Sequence, residues 1–441
     1  MQSEKANPYP VKLRPEVVLR DDGEHRQMRV LIVSCVFPPE PVASSQTSVH
    51  IAQKLVTNGH AVTVLTSYPS KPAGKLYPGY SRRLIDRKRM PEGYELIRCF
   101  STLSSRSRLM NRFMENISFG LTSSVAAFFV WRPDVIYANS WPLFATGMLF
   151  IVAKMRRIPM VISVQDIYPE SLVSQGRTIN NKWIMNCLRR WDGVIARGCR
   201  ALIVISKRFA DLYRNERRVP AERVHIVPNW GDDSLESMDE EQISKFGISN
   251  GIPPNARVFA YGGNIGVAAG VETLIQAALK LKTASVFRLL IAGAGSQLQA
   301  CQKLARDHDD GQVIFHSPWK TEETGLVLGL AEVLLLPTHG QQASVSVPSK
   351  LISYWMAGRP VIAMAWPRSD LADLIEESGG GWLVEPDRPD LLAVKIQEVL
   401  SLSPAELQRR GEAGRDFAAR NLTRKICLPR VVSILEQVAV K

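Results

Sequence analysis

Lys350 is the residue whose position in the chain most directly predicts a ligand. A predicted strand, Glu332 to Pro337, leads into a polar loop, and a helix is predicted to begin near Pro348 in the segment VPSKLISYWMAG. The first N–H groups of a helix have no partner within it, and they lie at the positive end of its dipole. A lysine in that turn is unfavourable unless an anion neutralises it. The segment therefore predicts a phosphate beside Lys350, and the alternative is an exposed lysine on an ordinary helix.

Two glycine-rich turns follow predicted strands in the same half of the chain. In YGGNIGVAAG, Gly263 and Gly266 stand where a strand-to-helix loop lets a backbone come close to a ligand. The spacing is not GxGxxG with an acidic residue about 20 positions later, so a nicotinamide cofactor is disfavoured. In LLIAGAG, Gly293 and Gly295 are consistent with a tight turn and equally with recognition of a nucleotide base.

Gln165, Asp166 and Glu170 follow a predicted strand in the first half, within VISVQDIYPES. Side chains at the carboxyl ends of parallel strands face the ligand crevice of an open α/β sheet. Asp166 could therefore act as an acid/base or orienting group, although an aspartate at this kind of position is as often a helix cap. Glu170 is a second, weaker candidate carboxylate.

Other residue patterns exclude several classes of site. The six cysteines have neither CxxC nor paired spacing, which predicts no disulfide framework, no zinc site and a reducing cytoplasm. Asp307, His308 and Asp309 form a DxD that follows a helical stretch, so we interpret it as a solvated helix end. No metal and no cofactor are expected.

The elements that must position these residues are parallel strands and helices in alternation. Short runs of Val, Ile and Leu alternate with helical patterns, and this alternation restarts after a polar segment, Gly231 to Ala256. The sequence therefore predicts two doubly wound α/β sheets whose carboxyl ends face across a cleft. The predicted strands are Arg29 to Val36, Ala61 to Ser67, Tyr94 to Phe100, Asp134 to Ser140, Pro159 to Asp166, Ala201 to Ser206 and Val224 to Pro228, then Val258 to Gly262, Phe287 to Ala292, Val313 to Ser317, Glu332 to Pro337, Pro360 to Ala363 and Gly381 to Glu385.

Domain boundaries follow from this alternation. Residues 1–27 lack an apolar stretch of signal-peptide length and are expected to be a disordered extension. Residues 28–231 form the first predicted domain and 232–422 the second. The last segment, 423–441, has a helical pattern and is expected to return to the first domain.

Positive charge is concentrated in the first half. Residues 1–231 hold 34 Lys and Arg against 17 Asp and Glu, a net charge of +17; the remainder holds 21 against 25, which completes the total of +13. The basic residues cluster in Arg82 to Arg112, next to the apolar stretch Ile117 to Trp131, and in Lys182 to Arg223. No nucleic-acid-binding motif is present, so the pattern favours an anionic membrane surface over nucleic acid, with solvated helix faces as the alternative.

The longest uncharged run, Val135 to Ala153, contains Asn, Ser and Pro, which disfavours a membrane-spanning helix.

The order of these motifs resembles the GT-B glycosyltransferases, most closely the retaining GT4 type of colanic-acid and O-antigen biosynthesis. The resemblance covers nearly everything from Met28 onward. It rests on MRVLIVSCVFPPE, LTSYPSKPAGKLYPGY, VQDIYPES, VPNW, YGGNIG, LLIAGAG and VPSKLISYWMAGRPVIA, in that order.

The resemblance implies a fold and a set of site residues. The expected fold is GT-B: two Rossmann-like domains, the first binding the acceptor at a membrane and the second binding a nucleotide sugar. The family's pair of glutamates falls here at Val345 and Ser353, and two basic residues of its glycine loop fall at Asn264 and Ala269. The expected donor-binding residues are Gly263, Asn264, Gly266, Gly293, Gly295, Ser346, Ser349 and Lys350, with Lys350 and Asp166 as the catalytic pair. The expected acceptor-side residues are Glu40, Ser44, Ser45, Gln165 and Glu170.

The expected activity is transfer of a sugar, with retained configuration, from a nucleotide-diphosphate donor to a lipid-linked saccharide during assembly of bacterial surface polysaccharide. The protein would then be cytoplasmic, peripheral on the inner face of the plasma membrane. Because the glutamate pair is missing, a non-catalytic GT-B-like binding subunit is the alternative, and a nucleotide-sugar epimerase on the same fold is a third.

Overall fold

The computed structural model of this 441-residue chain describes residues 27–40, 43–71, 74–103, 109–140, 142–170, 181–231, 238–281, 286–308, 311–340 and 348–440. The described residues contain two separate β-sheets, each covered by helices on both faces. The doubly wound α/β architecture predicted from the alternation of strands and helices is confirmed.

The first sheet has eight described strands in the order β3-β4-β2-β1-β5-β6-β7-β8. Neighbouring strands are parallel except β3 and β4, which are antiparallel. The strand order reverses between β1 and β5, and ligands of open α/β sheets bind at such a reversal. The strands are β1 (Arg29–Val33), β2 (Ala61–Ser67), β3 (Ile85–Arg89), β4 (Glu95–Cys99), β5 (Val135–Asn139), β6 (Met160–Val164), β7 (Ala201–Val204) and β8 (Val224–Ile226).

Helices cover both faces of this sheet. One face buries Phe119, Leu149, Leu188 and Phe209, which come from four successive helices. The helices are α1 (Ala43–Thr57), α2 (Leu109–Phe129), α3 (Leu143–Met155), α4 (Lys182–Gly198) and α5 (Lys207–Asn215). The other face is covered by α1 together with the last helix of the chain, Arg424–Val440, so that the chain's end packs on its first domain.

The second sheet has six described strands, all parallel, in the order β11-β10-β9-β12-β13-β14. Its order reverses between β9 and β12. The strands are β9 (Arg257–Gly262), β10 (Phe287–Ala292), β11 (Val313–His316), β12 (Val333–Leu336), β13 (Val361–Met364) and β14 (Gly381–Val384). The helices of this half are α6 (Glu240–Ser249), α7 (Val271–Ala278), α8 (Leu298–Arg306), α9 (Thr324–Leu330), α10 (Lys350–Met356), α11 (Asp370–Ser378), α12 (Pro389–Leu400) and α13 (Pro404–Asn421). The last helix, α14 (Arg424–Val440), packs on the first sheet.

The carboxyl ends of the two sheets meet. Asp370 follows β13, and its carboxylate accepts a hydrogen bond of 2.8 Å from Ser206 Oγ, which follows β7. Two further connections link the domains at the hinge: Gly231 N donates to Leu422 O at 3.1 Å, and Arg424 N donates to Gly231 O at 3.2 Å. The predicted arrangement of two sheets facing one another across a cleft is therefore confirmed.

One strand was not predicted. β3 has the sequence IDRKR, all five of its residues are exposed, and it pairs antiparallel at the edge of the sheet. Its charged composition explains why it was not predicted, because the segment lacks the apolar alternation that marks a half-buried strand. Charge also protects an exposed edge from unwanted pairing with other chains.

The basic cluster predicted at Arg82 to Arg112 is only partly on the surface. Arg82 through Arg89 are exposed, whereas Arg98 is buried and donates to Ser67 O at 2.8 Å and Pro38 O at 2.7 Å. Arg98 therefore joins two loops and does not contribute to a surface patch. In the part of the chain that the structure describes, no helix combines the length and apolar character needed to cross a bilayer.

Candidate functional site

Lys350 lies where the end of β9 meets the start of α10. Its Nζ donates a hydrogen bond of 2.6 Å to Tyr261 Oη and lies 4.5 Å from the centroid of the tyrosine ring. Burial lowers the pKa of Lys350 to about 8. Among the described residues, no carboxylate pairs with this ammonium group. An ammonium that is largely buried without a counter-ion is poised to bind an anion.

Gly263 makes room for the lysine. Its φ is +150°, and a Cβ on this residue would overlap with Cε and Nζ of Lys350. Behind them, Tyr354 Oη accepts a hydrogen bond from Gly262 N at 2.9 Å and donates to Gly262 O at 3.0 Å. Because Lys350 and Tyr354 are four residues apart on α10, both project from one face of the helix onto the end of β9.

The other predicted glycines hold the loops after β9 and β10 together. A Cβ on Gly293 would overlap with Gly263 O, and one on Gly295 would overlap with Ile265 O. Ile265 N donates to Ala294 O at 2.9 Å, which ties the two loops directly. The tight approach of two backbones is thus sufficient to explain Gly293 and Gly295. A Cβ on Gly266 would lie 2.9 Å from Nδ2 of Asn264, whose side chain is exposed.

The predicted helix start is close to the observed one. Ser349 occupies the N-cap position of α10, and its exposed side chain makes no capping hydrogen bond. Ser353, at a position where the resembled family has a glutamate, lies in the middle of α10. Ser346 and Val345 lie outside the described residues.

Asp166 and Gln165 lie directly after β6, at the carboxyl edge of the first sheet. Gln165 Nε2 donates to Ser163 Oγ at 3.1 Å. The Asp166 side chain is open to solvent, yet the surrounding protein displaces enough water to raise the pKa of its carboxyl. No helix-capping hydrogen bond of Asp166 occurs among the described residues.

Glu170, four residues after Asp166, lies in an ion-pair network. Its two carboxylate oxygens accept hydrogen bonds from Arg217 at 2.8 and 2.9 Å, and Arg189 donates to it at 3.0 Å. Arg217 also binds Asp192 at 2.9 Å, and Tyr213 Oη donates to Asp192 at 3.2 Å. Burial raises the pKa of Asp192 to about 6. The structure therefore places Glu170 as an anchor for the segment that follows Asp166.

Glu40 is likewise an anchor. It is buried, and it accepts hydrogen bonds from the backbone N–H groups of Ser70 and Lys71 at 2.8 Å and of Phe37 at 3.3 Å. This carboxylate joins the loops that follow β1 and β2. Of the two neighbouring serines, Ser45 is fully buried, whereas Ser44 is partly exposed in the first turn of α1.

The two domains are in contact where Asp370 of the second meets Ser206 of the first. A surface cavity of about 440 Å³ adjoins this contact and is lined mainly by α5, with Ile167 and Asp370; neither Asp166 nor Lys350 lines it. Lys350 and Asp166 belong to different domains. Tyr261 and Tyr354 were not among the predicted site residues, although the tyrosine directly before two glycines was a signal in the sequence.

Comparison with known proteins agrees with this arrangement. Residues 44–230 match the family described as "Glycosyl transferase 4-like domain", and residues 256–401 match "Glycosyl transferases group 1". The chain is 22% identical over 413 residues to the putative colanic acid biosynthesis glycosyl transferase WcaI of Escherichia coli K12, covering 92% of this chain and 99% of that protein.

Two solved structures share the fold at low sequence identity. HepE of Anabaena, crystallised with UDP and glucose, superimposes with a TM-score of 0.66 at 14% identity and covers 93% of this chain and all of that one. Sucrose-phosphate synthase of Thermosynechococcus elongatus superimposes with a TM-score of 0.72 at 16% identity, covering 94% of this chain and all of that one. With both halves matched in order, the chain belongs to the GT-B glycosyltransferases that combine a glycosyltransferase 4-like domain with a group 1 domain.

Proposed function

We propose that this glycosyltransferase transfers a sugar, with retained anomeric configuration, from a nucleotide-diphosphate donor to a lipid-linked saccharide at the cytoplasmic face of an anionic membrane, in the assembly of a bacterial surface polysaccharide. One observation carries the donor half of this proposal. It is the ammonium group of Lys350, which is largely buried and meets no carboxylate among the described residues.

The donor's diphosphate is the anion that this cation fits. Negative charge builds up on the leaving diphosphate as the glycosidic bond breaks, and a cation already fixed in a partly dehydrated site stabilises that charge without reorganising. Removing one such interaction from an active site typically costs about 3 to 4 kcal/mol of transition-state stabilisation. Tyr261 and Gly263 fix where the ammonium group lies, and Ser349, which makes no capping hydrogen bond, precedes Lys350 in the chain.

The glycine loop adds no cation of its own. Asn264 and Ala269 stand at the places where the resembled family has basic residues, and Ser353 stands where it has a glutamate. The proposal therefore assigns to Lys350 a larger share of diphosphate binding than a cation would have in a site with several basic residues.

The acceptor half rests on Asp166 and Gln165. A carboxyl whose pKa is raised can hold or release a proton nearer neutral pH than an ordinary aspartate. We assign it the role of orienting the acceptor hydroxyl, with Gln165 beside it. We name no protein nucleophile; in the proposed retaining reaction the leaving phosphate takes the proton of the incoming hydroxyl on the same face of the sugar.

The test is turnover with a panel of nucleotide-diphosphate sugars and a lipid-linked saccharide acceptor. Release of nucleoside diphosphate should depend on the acceptor, and nuclear magnetic resonance of the product should show the donor's anomeric configuration. Lys350→Ala should lose turnover, whereas Lys303→Ala, an exposed lysine on α8 of the same domain, should keep it. Binding of nucleotide sugars without transfer or hydrolysis would instead support the non-catalytic alternative, and inversion at the anomeric carbon would refute the retaining mechanism.

A further inference from the structure

Helix α2 carries its large apolar side chains on the outside. Every residue of α2 that the structure describes as exposed is apolar and large. Their spacing of three, four or seven residues places them along one side of the helix. They are Met110, Phe113, Met114, Leu121, Val125, Phe128 and Phe129.

The inward side of α2 is the less apolar one. Five of its buried residues are serine, alanine or glycine, and Glu115 is buried in an ion pair with Lys71. Ser123 Oγ is satisfied within the helix by Phe119 O at 2.6 Å. A surface helix of a globular protein normally shows the opposite distribution. The inversion indicates that the outer side of α2 meets an apolar environment of its own.

The apolar surface continues onto α3. The two helices pack closely, since a Cβ on Gly120 would lie 2.8 Å from Ala145 Cα, and the rings of Phe113 and Phe144 meet edge to face with centroids 5.1 Å apart. Ile151 and Met155 are exposed one turn apart on α3. We call the exposed apolar residues of α2 and α3 the α2–α3 face. No exposed aspartate or glutamate occurs among the described residues of either helix.

A basic edge borders the α2–α3 face. Thr122 Oγ1 of α2 donates to Phe100 O at 2.6 Å, and Phe100 N donates to Leu84 O at 3.0 Å. Leu84 is itself exposed and leads into β3, on which Arg87, Lys88 and Arg89 are all exposed. With Asp86 on the same strand and Arg87 within 4.0 Å of Glu95, β3 still carries a net charge of +2. An apolar surface beside a net positive edge matches the two layers of an anionic membrane, its acyl region and its headgroups.

We propose that the α2–α3 face docks on an anionic lipid bilayer, with the β3 cations on the headgroups. The charge pattern favours a bilayer over a second copy of the chain. A symmetric dimer through this face would bring two identical basic edges close together, which is unfavourable. The inference depends on the proposed function only for the purpose that docking serves. α2 begins at the edge of the sheet where β4 ends, so a docked α2–α3 face would lie near the cleft that a lipid-linked acceptor must enter.

Binding of the full-length protein to vesicles tests the proposal without any transfer reaction. Phosphatidylcholine vesicles with and without phosphatidylglycerol should be compared by flotation. Val125→Glu, at a position 53% exposed in the middle of α2, should weaken binding to the anionic vesicles by about tenfold or more, because it places a charge in the acyl region and repels the headgroups. Val394→Glu on α12 of the second domain, 57% exposed, is the matched control and should bind as the unaltered protein does.

Trp131 offers a second readout. It follows α2 and is 81% exposed, so its fluorescence should shift to the blue on vesicle binding, and Trp131→Phe should remove that part of the signal. Val125→Glu and Trp131→Phe should also keep the melting temperature of the unaltered protein, because both altered side chains are exposed.

Three results would overturn the proposal. The protein could fail to bind anionic vesicles at low salt, or it could bind them equally well with Val125→Glu, which would leave only a diffuse charge effect. Val125→Glu could also convert a dimer into a monomer in light scattering without changing vesicle binding, which would make the face a protein interface. Transfer to a soluble acceptor should be unchanged in Val125→Glu, so a protein that docks but does not transfer refutes the proposed function and leaves docking intact.

Discussion

Asp370 of the second domain caps a helix of the first. Its Oδ2 accepts a hydrogen bond of 2.8 Å from Ser206 Oγ, its Oδ1 receives Arg208 N at 3.4 Å, and Ser206 Oγ itself accepts from Phe209 N at 3.3 Å. Asp370 is only 5% exposed, and burial raises the pKa of its carboxyl. The free N–H groups and the dipole at the start of α5 are thus partly satisfied by a carboxylate from the other domain. This contact holds the carboxyl ends of the two sheets together.

Asp370→Ala should loosen the closed arrangement of the domains. Without the carboxylate, Ser206 and the first turn of α5 lose their partner across the cleft, so open conformations gain population. Small-angle scattering should show a larger radius of gyration than for the unaltered protein, and added nucleoside diphosphate should restore part of the difference. Glu376→Ala, an exposed residue on the same helix, is the control. An unchanged radius in Asp370→Ala would show that the hinge contacts alone set the domain arrangement.

Donor binding should weaken as pH rises through about 8. The Lys350 ammonium has a folded-state pKa lowered to about 8 from its usual 10.5, so the charged form that binds a diphosphate is lost above that pH. Binding of the anion raises the pKa again, which predicts uptake of protons near pH 8. Calorimetry in buffers of different ionisation enthalpy measures this uptake. Lys303→Ala should show the same uptake, whereas uptake that persists in Lys350→Met would assign it to another group.

Lys350→Met should remove donor binding without lowering stability. Burying an ammonium group without a counter-ion costs free energy, and a methionine of similar length avoids that cost. We therefore expect a melting temperature equal to or above that of the unaltered protein when no donor is present. A clear decrease would mean that the hydrogen bond to Tyr261 and the ring contact outweigh the cost of burial, and the lysine would then be structural.

Gly263→Ala should damage the donor site specifically. The new methyl group would overlap with the end of the Lys350 side chain, and the backbone φ of +150° is unfavourable for alanine. Gly311→Ala is the matched control because Gly311 also has a positive φ, +98°, but nothing lies within 4 Å of its Cβ position. Both variants should lose about 1 kcal/mol or more of stability, and only Gly263→Ala should lose donor affinity. Equal donor affinity in the two variants would contradict the placement of Lys350 against Gly263.

The features that could be predicted from the sequence were those marked by residues close together in the chain. The buried parallel strands and the start of α10 were predictable because Val, Ile and Leu runs and helix-start residues are local patterns. The partners of charged side chains were not, because they lie far apart in sequence: Glu40 binds backbone 30 residues later, Glu170 binds a side chain 47 residues later, and Lys350 binds Tyr261 from 89 residues away. Sequence spacing could thus suggest candidate residues but could not separate anchors from groups that face the cleft.

Arg217 should prove essential for stability near the site. It is buried between Glu170 and Asp192, so Arg217→Met leaves the buried Asp192 without its cation, while Glu170 keeps only Arg189. Breaking a buried ion pair by removing one partner typically costs about 3 to 5 kcal/mol. Urea denaturation should show a loss of this size at neutral pH, whereas Arg218→Met at the exposed neighbouring position should change stability little.

The loss in Arg217→Met should shrink in acid. Burial already raises the pKa of Asp192 to about 6, and removal of the guanidinium raises it further in the folded state. A carboxyl whose folded-state pKa exceeds its unfolded value binds a proton more readily when folded, so lowering the pH through that range favours folding of the variant. The difference in unfolding free energy between the two proteins should therefore be larger at pH 8 than at pH 5. A pH-independent difference would mean that lost packing dominates and not the unpaired charge. The segment after Asp166 would then be held by shape alone.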